Sequence, residues 1–353
     1  MAHLPQPSLL DAQVLQGLLG EAGGVLGGLT PELLLQGGEQ LSDGLLAGLE
    51  LLVDRGQALV LGLGDLDGTL RCLPLAALHD GERWLVERYA LDVYTALGKR
   101  HLDAPRNPAW QVAGLGDSQG RAGLRPLPGV AQELDGIVSE TEDPRDQQGV
   151  LPGTVHLDQG FDRAALHREL GAGREVIHIA SHFVFDPTSG RDSYLLLGAG
   201  EPLTLEELLT QYYRFDGIDL VTLSACETAL DGAGSGQGGG REIEGLASLV
   251  QRRGARGVMA SLWPVADAST AWLMQRFYDL REHRGLSKAE ALRRAQTELM
   301  RIGAAEVAAA GGERRPVNLG AGADFGAAQE PAVTAGHGHP YYWAPFVLMG
   351  NWF

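Results

Sequence analysis

Two side chains able to carry covalent chemistry stand where short apolar runs stop. The run from Arg174 to His182 reads REVIHIASH, and the run from Asp219 to Thr228 reads DLVTLSACET, with Cys226 near its end. An imidazole takes and returns a proton near neutral pH, and a thiolate is a strong nucleophile. A Cys and a His held in contact can therefore attack a carbonyl and release an acyl group. Both runs are rich in β-branched residues, the composition of parallel strands buried on both faces. Side chains just past the carboxyl ends of such strands share the crevice in which open α/β sheets bind ligands. Cys226 follows His182 by 44 positions, which leaves room for one crossover. A crossover helix is predicted at Leu203 to Leu209, where Thr204 can cap it and Glu207 stands three residues on.

Other chemistries compete for these residues. Cys226 could be a buried structural thiol, since free cysteines are among the most buried residue types; its place after a core strand, followed by Glu227 and Thr228, argues for a nucleophile. His178 and His182 are four apart, a spacing that shares a metal on a helix. On a strand it separates their Cα atoms by about 13 Å. Position 179 is also Ile, not the Glu of a H-E-x-x-H site, so His178 reads as a hydrogen-bonded core histidine and no metal site is expected. His337 and His339 stand in a Gly-rich stretch and read as structural or solvated. Ser235 has Ala233 two before it and Gln237 two after it, which fails the G-x-S-x-G elbow of serine hydrolases. The Gly116 to Gly120 stretch lacks the Lys-Ser/Thr of a phosphate-binding loop.

The elements that must position the pair alternate between strand and helix, implying a mostly parallel sheet with helices on both faces. Trp110 to Gly116 reads as the first strand of this sheet. Ala131 to Ser139 is a short amphipathic helix, Pro144 to Pro152 a polar connection, and Phe161 to Leu170 a helix ended by Gly171. After the Cys strand come a glycine-rich linker at 231–240, a helix from Ile243 to Arg253, a strand from Val258 to Trp263, and helices at Ala268 to Arg281 and Lys288 to Ile302. Tyr341 to Met349 is expected to close the sheet as an edge strand. Ahead of all this, residues 1–57 form an N-terminal helical segment without a 34-residue repeat. Residues 58–105 form a β-hairpin subdomain around the turn signal Asp65 to Gly68, with one or two further strands at Trp84 to Tyr94, packed on a catalytic domain at 106–353.

The words HIASHFVF, DLVTLSACETAL, GARGVMASLWPVAD and HPYYWAPFVLMGNW, with LVLGLGDLDGTLRCLPLAAL (Leu59 to Leu78) and LRPLPGVAQELDGIV (Leu124 to Val138), resemble the CHAT family of caspase- and separase-like domains. The resemblance implies a caspase-like three-layer α/β/α sandwich and a cysteine endopeptidase with a Cys226 and His182 dyad, acting through an acyl-enzyme without a cofactor. The oxyanion would be held by the backbone N–H groups of Cys226 and Phe183. Caspase-like enzymes have Gly where this chain has Phe183, and a catalytically silent protein-interaction module is the alternative. The exit of the strand ending at Val265 would lie beside the specificity pocket. Asp267 there would favour a basic residue at the cut, although a helix N-cap before Ala268 is the preferred account of it. The linker at 231–240 falls where caspase-like enzymes carry a mobile loop, and Arg241 beyond it is a candidate self-cleavage point. The family implies an activating protein partner and a protein or peptide target; in bacterial defence such targets include gasdermin-like and CRISPR-associated proteins.

Composition narrows the classes. The 353 residues, 44% hydrophobic and 21% charged, suit a globular chain, and a formal charge of −17 disfavours nucleic acid as a direct partner. Two cysteines, Cys72 and Cys226, are too few for a disulfide framework and fit a reducing compartment. No Lys or Arg occurs in the first twenty residues, and the apolar stretch Leu45 to Gly64 is broken by Glu50, Asp54 and Arg55. The expectation is a cytoplasmic protein with no membrane span.

Overall fold

The structure, a computed structural model, describes residues 49–54, 58–64, 74–79, 81–94, 106–120, 123–140, 149–184, 193–210, 212–224, 247–263, 265, 267–302 and 337–353. Thirteen strands appear among them: β1 (Leu49–Asp54), β2 (Ala58–Gly64), β3 (Ala90–Tyr94), β4 (Val112–Gly116), β5 (Val138–Ser139), β6 (Leu151–Leu157), β7 (Val176–Ala180), β8 (Phe183–Val184), β9 (Tyr194–Leu196), β10 (Pro202–Thr204), β11 (Leu220–Leu223), β12 (Gly257–Ser261) and β13 (Phe346–Gly350). The principal helices are α1 (Val130–Ile137), α2 (Arg163–Gly171), α3 (Asp267–His283) and α4 (Lys288–Leu299).

Ten strands make one sheet in the order β1-β2-β3-β13-β12-β11-β7-β4-β6-β5, and β10-β9-β8 form a small second sheet. Within the large sheet only the β1–β2 and β12–β13 pairs are antiparallel, and every other neighbouring pair is parallel. The strands read as continuous apolar runs because both faces are covered. Side chains alternate between the faces. Val112, Val176, Leu220, Met259, Phe346 and Leu348 pack on one side with Met274 and Phe277 of α3 and Leu292 of α4. Ala113, Ile177, Val221, Val258 and Ala260 pack on the other with Leu166 and Leu170 of α2. This is an α/β/α sandwich of the caspase-like kind, as expected. Each of these buried Val, Ile or Leu side chains contributes roughly 1.5–3 kcal/mol by leaving water.

Local signals set the helix starts. Asp162 caps α2 by accepting the Ala165 N–H at 2.7 Å, and Ser287 caps α4 by accepting from Glu290 at 3.3 Å. The predicted crossover helix is a single turn, Leu205–Leu208, closed by the reciprocal bonds Glu207 N–H to Thr204 Oγ1 at 3.1 Å and Thr204 N–H to Glu207 Oε2 at 3.0 Å.

At the amino ends of the parallel strands a buried polar cluster ties β4 and β11 to α3 and α4. Trp110 Nε1 donates to Asp219 Oδ2 at 2.8 Å and Lys288 Nζ to Asp219 Oδ1 at 3.0 Å, while the Arg281 guanidinium lies 3.7 Å over the Trp110 ring. Burial pulls the Lys288 ammonium below its ordinary pKa, against the opposing pull of Asp219.

Several elements differ from the sequence expectations. The last strand is not an edge. Pro340–Trp343 is a helical turn whose N-cap, His339, accepts the Tyr341 N–H on Nδ1 at 3.1 Å. β13 begins only at Phe346 and lies between β12 and β3, both of its edges occupied. The polar connection ends sooner than expected, since β6 begins at Leu151. Trp84 to Tyr94 supplies one strand, β3, preceded by the helical turn Leu85–Arg88. Leu49–Asp54, at the end of the segment expected to be helical, is a strand. It forms the hairpin with β2, whose other edge is taken by β3. The stretch 65–73, expected to turn and pair with β2, lies outside the described residues.

Candidate active site

The chain leaves β4 toward β5 and β6 on one side and leaves β7 toward β11 and β12 on the other. The strand order therefore reverses between β4 and β7, and at such a switch point the connections diverge and open a crevice at the carboxyl ends. His182 stands at this point, two residues beyond β7.

Three contacts hold it. Ser181 Oγ donates to the Leu196 carbonyl at 2.6 Å, the Leu196 N–H donates to the His182 carbonyl at 2.9 Å, and the His182 ring meets the Arg125 carbonyl through Nε2 at 2.7 Å. A carbonyl oxygen only accepts, so Nε2 carries the hydrogen. In the neutral ring the basic lone pair then belongs to Nδ1. The side chain is fully buried. Arg125 belongs to the connection from β4 to α1, so the two strands flanking the switch point jointly determine the ring's tautomer.

Phe183 opens β8 and pairs with Leu195 of β9. Bonded and unbonded positions alternate in an antiparallel ladder, and His182 and Leu196 form the bonded pair. The Phe183 N–H consequently points away from β9. Its ring is buried in the core on the α2 side, so a large side chain is accommodated where the family pattern has glycine.

β11 lies beside β7 in register, with Leu223 opposite Ile179, and the Ser224 N–H continues the ladder to the Ile179 carbonyl at 3.0 Å. Cys226 lies outside the described residues, as do Cys72, Ser235 and the glycine-rich linker with Arg241. Asp267 is the first residue of α3, and its side chain is likewise outside the described set.

His178 is a core histidine with both ring nitrogens engaged: Nε2 lies 2.9 Å from Glu133 Oε1 and Nδ1 3.1 Å from the Tyr278 hydroxyl, which meets Thr222 Oγ1 at 2.8 Å. Burial raises the Tyr278 pKa, so the phenol stays protonated and can serve both neighbours. This chain of polar groups joins α1, β7, α3 and β11 beneath the site. His337 packs edge-on against Tyr342 with ring centroids 4.8 Å apart. Among the described residues no group of three or more His, Cys, Asp or Glu side chains is placed to hold a metal ion, and no helix is long and apolar enough to cross a membrane.

Sequence reasoning did not find the Arg125 carbonyl, Glu133 or Tyr278. The first has no side-chain signal, and the other two reveal themselves only through their distance to His178. Compared with known families, the chain matches the CHAT domain over residues 36–351. No curated protein matches it.

Proposed function

Because the chain belongs to the CHAT-domain family, a caspase-like protease family, we propose that it is a cysteine endopeptidase in which Cys226 is the nucleophile and His182 the proton carrier. The observation that carries this reading is the bond from His182 Nε2–H to the Arg125 carbonyl. It leaves Nδ1 as the base at the carboxyl end of β7, beside the strand that leads to Cys226. The register supports the pairing: Cys226 comes three residues after Leu223, and His182 three residues after its partner Ile179.

In this mechanism Nδ1 takes the thiol proton, and the thiolate adds to the scissile carbonyl carbon. The resulting oxyanion is met by the backbone N–H groups of Cys226 and Phe183. Collapse breaks the C–N bond, and the amine leaves with the proton from His182. A water molecule deprotonated by His182 then hydrolyses the thioester and restores the thiol. The substrate is a protein or peptide chain, with gasdermin-like and CRISPR-associated proteins the target classes suggested by the family, and a protein partner controls activity. Asp267 is the candidate for reading a basic side chain at the cut.

The test is labelling of Cys226 by an electrophilic peptide, together with proteolysis by Cys226→Ala and His182→Ala chains. Each substitution should lower turnover by roughly 10³-fold or more without unfolding the protein, and His182→Ala should block labelling. Cys72→Ser should leave the rate intact. Full activity in Cys226→Ala would end the protease reading and leave the interaction module in its place.

A further inference from the structure

Asp158 is the only non-glycine residue with positive φ among the described residues, at +53°. Asp tolerates this left-handed conformation better than most side chains, yet it remains an uncommon one, and such backbones persist where the surroundings over-determine them. The residue follows directly on Leu157, the end of β6. The register places Leu157 opposite Gly116 of β4, and Gly116 opposite Ala180 of β7. Asp158, Asp117 and Ser181 thus stand in one row at the carboxyl edge, with Asp158 two strands, or roughly 10 Å, from the His182 strand.

The turn is built to aim one carboxylate. Asp158 Oδ1 accepts the Ser118 N–H at 2.7 Å and the Ser118 hydroxyl at 2.9 Å, while Oδ2 accepts Gln119 Nε2 at 3.2 Å. Burial raises the pKa of this carboxyl, but the bonds from Ser118 and Gln119 outweigh it and hold the group below its ordinary value, in the accepting form. From the other side the backbone of Gly198 presses on the turn: a Cβ there would lie 1.6 Å from the Asp158 carbonyl oxygen.

Ser118 passes the constraint on. Its carbonyl accepts the Leu127 N–H at 3.0 Å, closing the connection whose Arg125 carbonyl meets His182. Within that connection, Asp117 accepts the Gly120 N–H at 3.2 Å. Gly120, at φ +61°, lies so close to Arg125 that a Cβ would come within 2.1 Å of its carbonyl oxygen. Asp158 thus reaches the imidazole through its bond to Ser118, the Ser118–Leu127 bond, the short covalent step from Leu127 back to Arg125, and the Arg125–His182 bond.

We propose that Asp158 is a positioning residue for His182: its carboxylate fixes Ser118, Ser118 closes the connection onto Leu127, and the closed connection presents the Arg125 carbonyl that sets the ring's tautomer and orientation. This rests on the reading of His182 as the proton carrier.

Asp158→Gly separates the two roles that Asp158 could have. Glycine suits a positive φ, so a residue kept only for its turn would lose nothing by this change. A positioning residue loses its carboxylate and with it the hold on Ser118. In the full chain, kcat for Asp158→Gly should fall roughly 10- to 100-fold, as small misplacements of catalytic groups do, with KM within about twofold and the melting temperature maintained. Asp158→Asn, which keeps one acceptor for the Ser118 N–H, should recover most of kcat. Ser118→Ala should show a smaller loss of the same kind.

The second readout needs no activity. In a Cys226→Ala background, ¹⁵N NMR of the His182 ring should show the Nε2–H tautomer in the parent and a mixture of tautomers with Asp158→Gly. Unchanged kcat in Asp158→Gly, or an unchanged tautomer in that variant or in Ser118→Ala, overturns the proposal. Loss of the dyad reading would show differently, as activity surviving in His182→Ala, while the tautomer measurement would still decide the part played by Asp158.

Discussion

Replacing Asp92 should stabilise the protein, and by an amount that grows with pH. Asp92 lies in the middle of β3, fully buried, and neither carboxylate oxygen has a hydrogen-bond partner among the described residues. Burial raises its pKa well above the ordinary value, and the opposing pull of the nearby Lys288 does not cancel that rise. The carboxyl is therefore protonated in the fold at pH values where the unfolded chain has already lost the proton. The favourable contribution of the neutral form is fully present below the unfolded pKa of about 3.9 and is lost as pH rises through the folded pKa. Between the two values one such group lowers stability by about 1.4 kcal/mol per pH unit. Asp92→Asn removes the titration, and Asp92→Val also removes the unpaired polar atoms, which typically cost about 1–3 kcal/mol when buried. Lys288 keeps its bond to Asp219 in both variants. Urea denaturation in a Cys226→Ala background at several pH values between 4.5 and 8 should show both variants gaining on the parent as pH rises. At neutral pH Asp92→Val should melt at least 2–6 °C higher from the polar atoms alone, at about 2 °C per kcal/mol for a chain of this size, with the titration loss adding to it. A variant less stable than the parent, or one with the parent's pH slope, would mean that Asp92 is ionised and held by Lys288.

Tyr278→Phe deletes the hydroxyl shared by His178 Nδ1 and Thr222 Oγ1 and should lower unfolding free energy by roughly 1–3 kcal/mol; an unaltered urea midpoint would show that the buried groups find other partners. Chelators should leave the proteolytic rate unchanged, because the His178 ring already faces Glu133 and Tyr278; stoichiometric zinc lost together with activity would contradict this. Shortening the 231–240 stretch by half should alter turnover or dependence on an activator far more than it alters melting temperature, since a glycine-rich segment packs little core. Unchanged kinetics in that deletion would reduce it to a spacer.

What was legible from the sequence was the part governed by local pattern. Continuous β-branched runs announced β7 and β11. The Thr204 and Glu207 pair announced a cap because its partners are three residues apart. The features that escaped depend on distant neighbours. Phe346 to Gly350 has the composition of a strand whether it lies at the rim or between two others, so only pairing places it in the interior. β6 was obscured by Pro152 and Gly153, which depress strand propensity. At the candidate site, the place of His182 just past the end of β7 was legible from the apolar run before it. The Arg125 carbonyl that orients it is a backbone group every residue possesses, and Asp158 acts through a dihedral angle and a partner 40 positions away.

The interior position of β13 also orders events in time. β3 is complete within the first hundred residues of the chain, yet its neighbour on the catalytic side is made of residues 346–350. During synthesis the N-terminal hairpin and β3 can pair among themselves, and β12, β11, β7 and β4 can pair among themselves, but no strand pairing joins the two groups until β13 leaves the ribosome, although α4 already reaches the N-terminal group through Arg293 Nη1 and the Glu87 carbonyl. Until then β3 and β12 each present a bare row of amide and carbonyl groups, the kind of edge on which nascent chains associate wrongly. The strand that unites the sheet is therefore a late clasp, completing the backbone pairing between the half that holds His182 and the N-terminal strands only after every other strand of the sheet has been made.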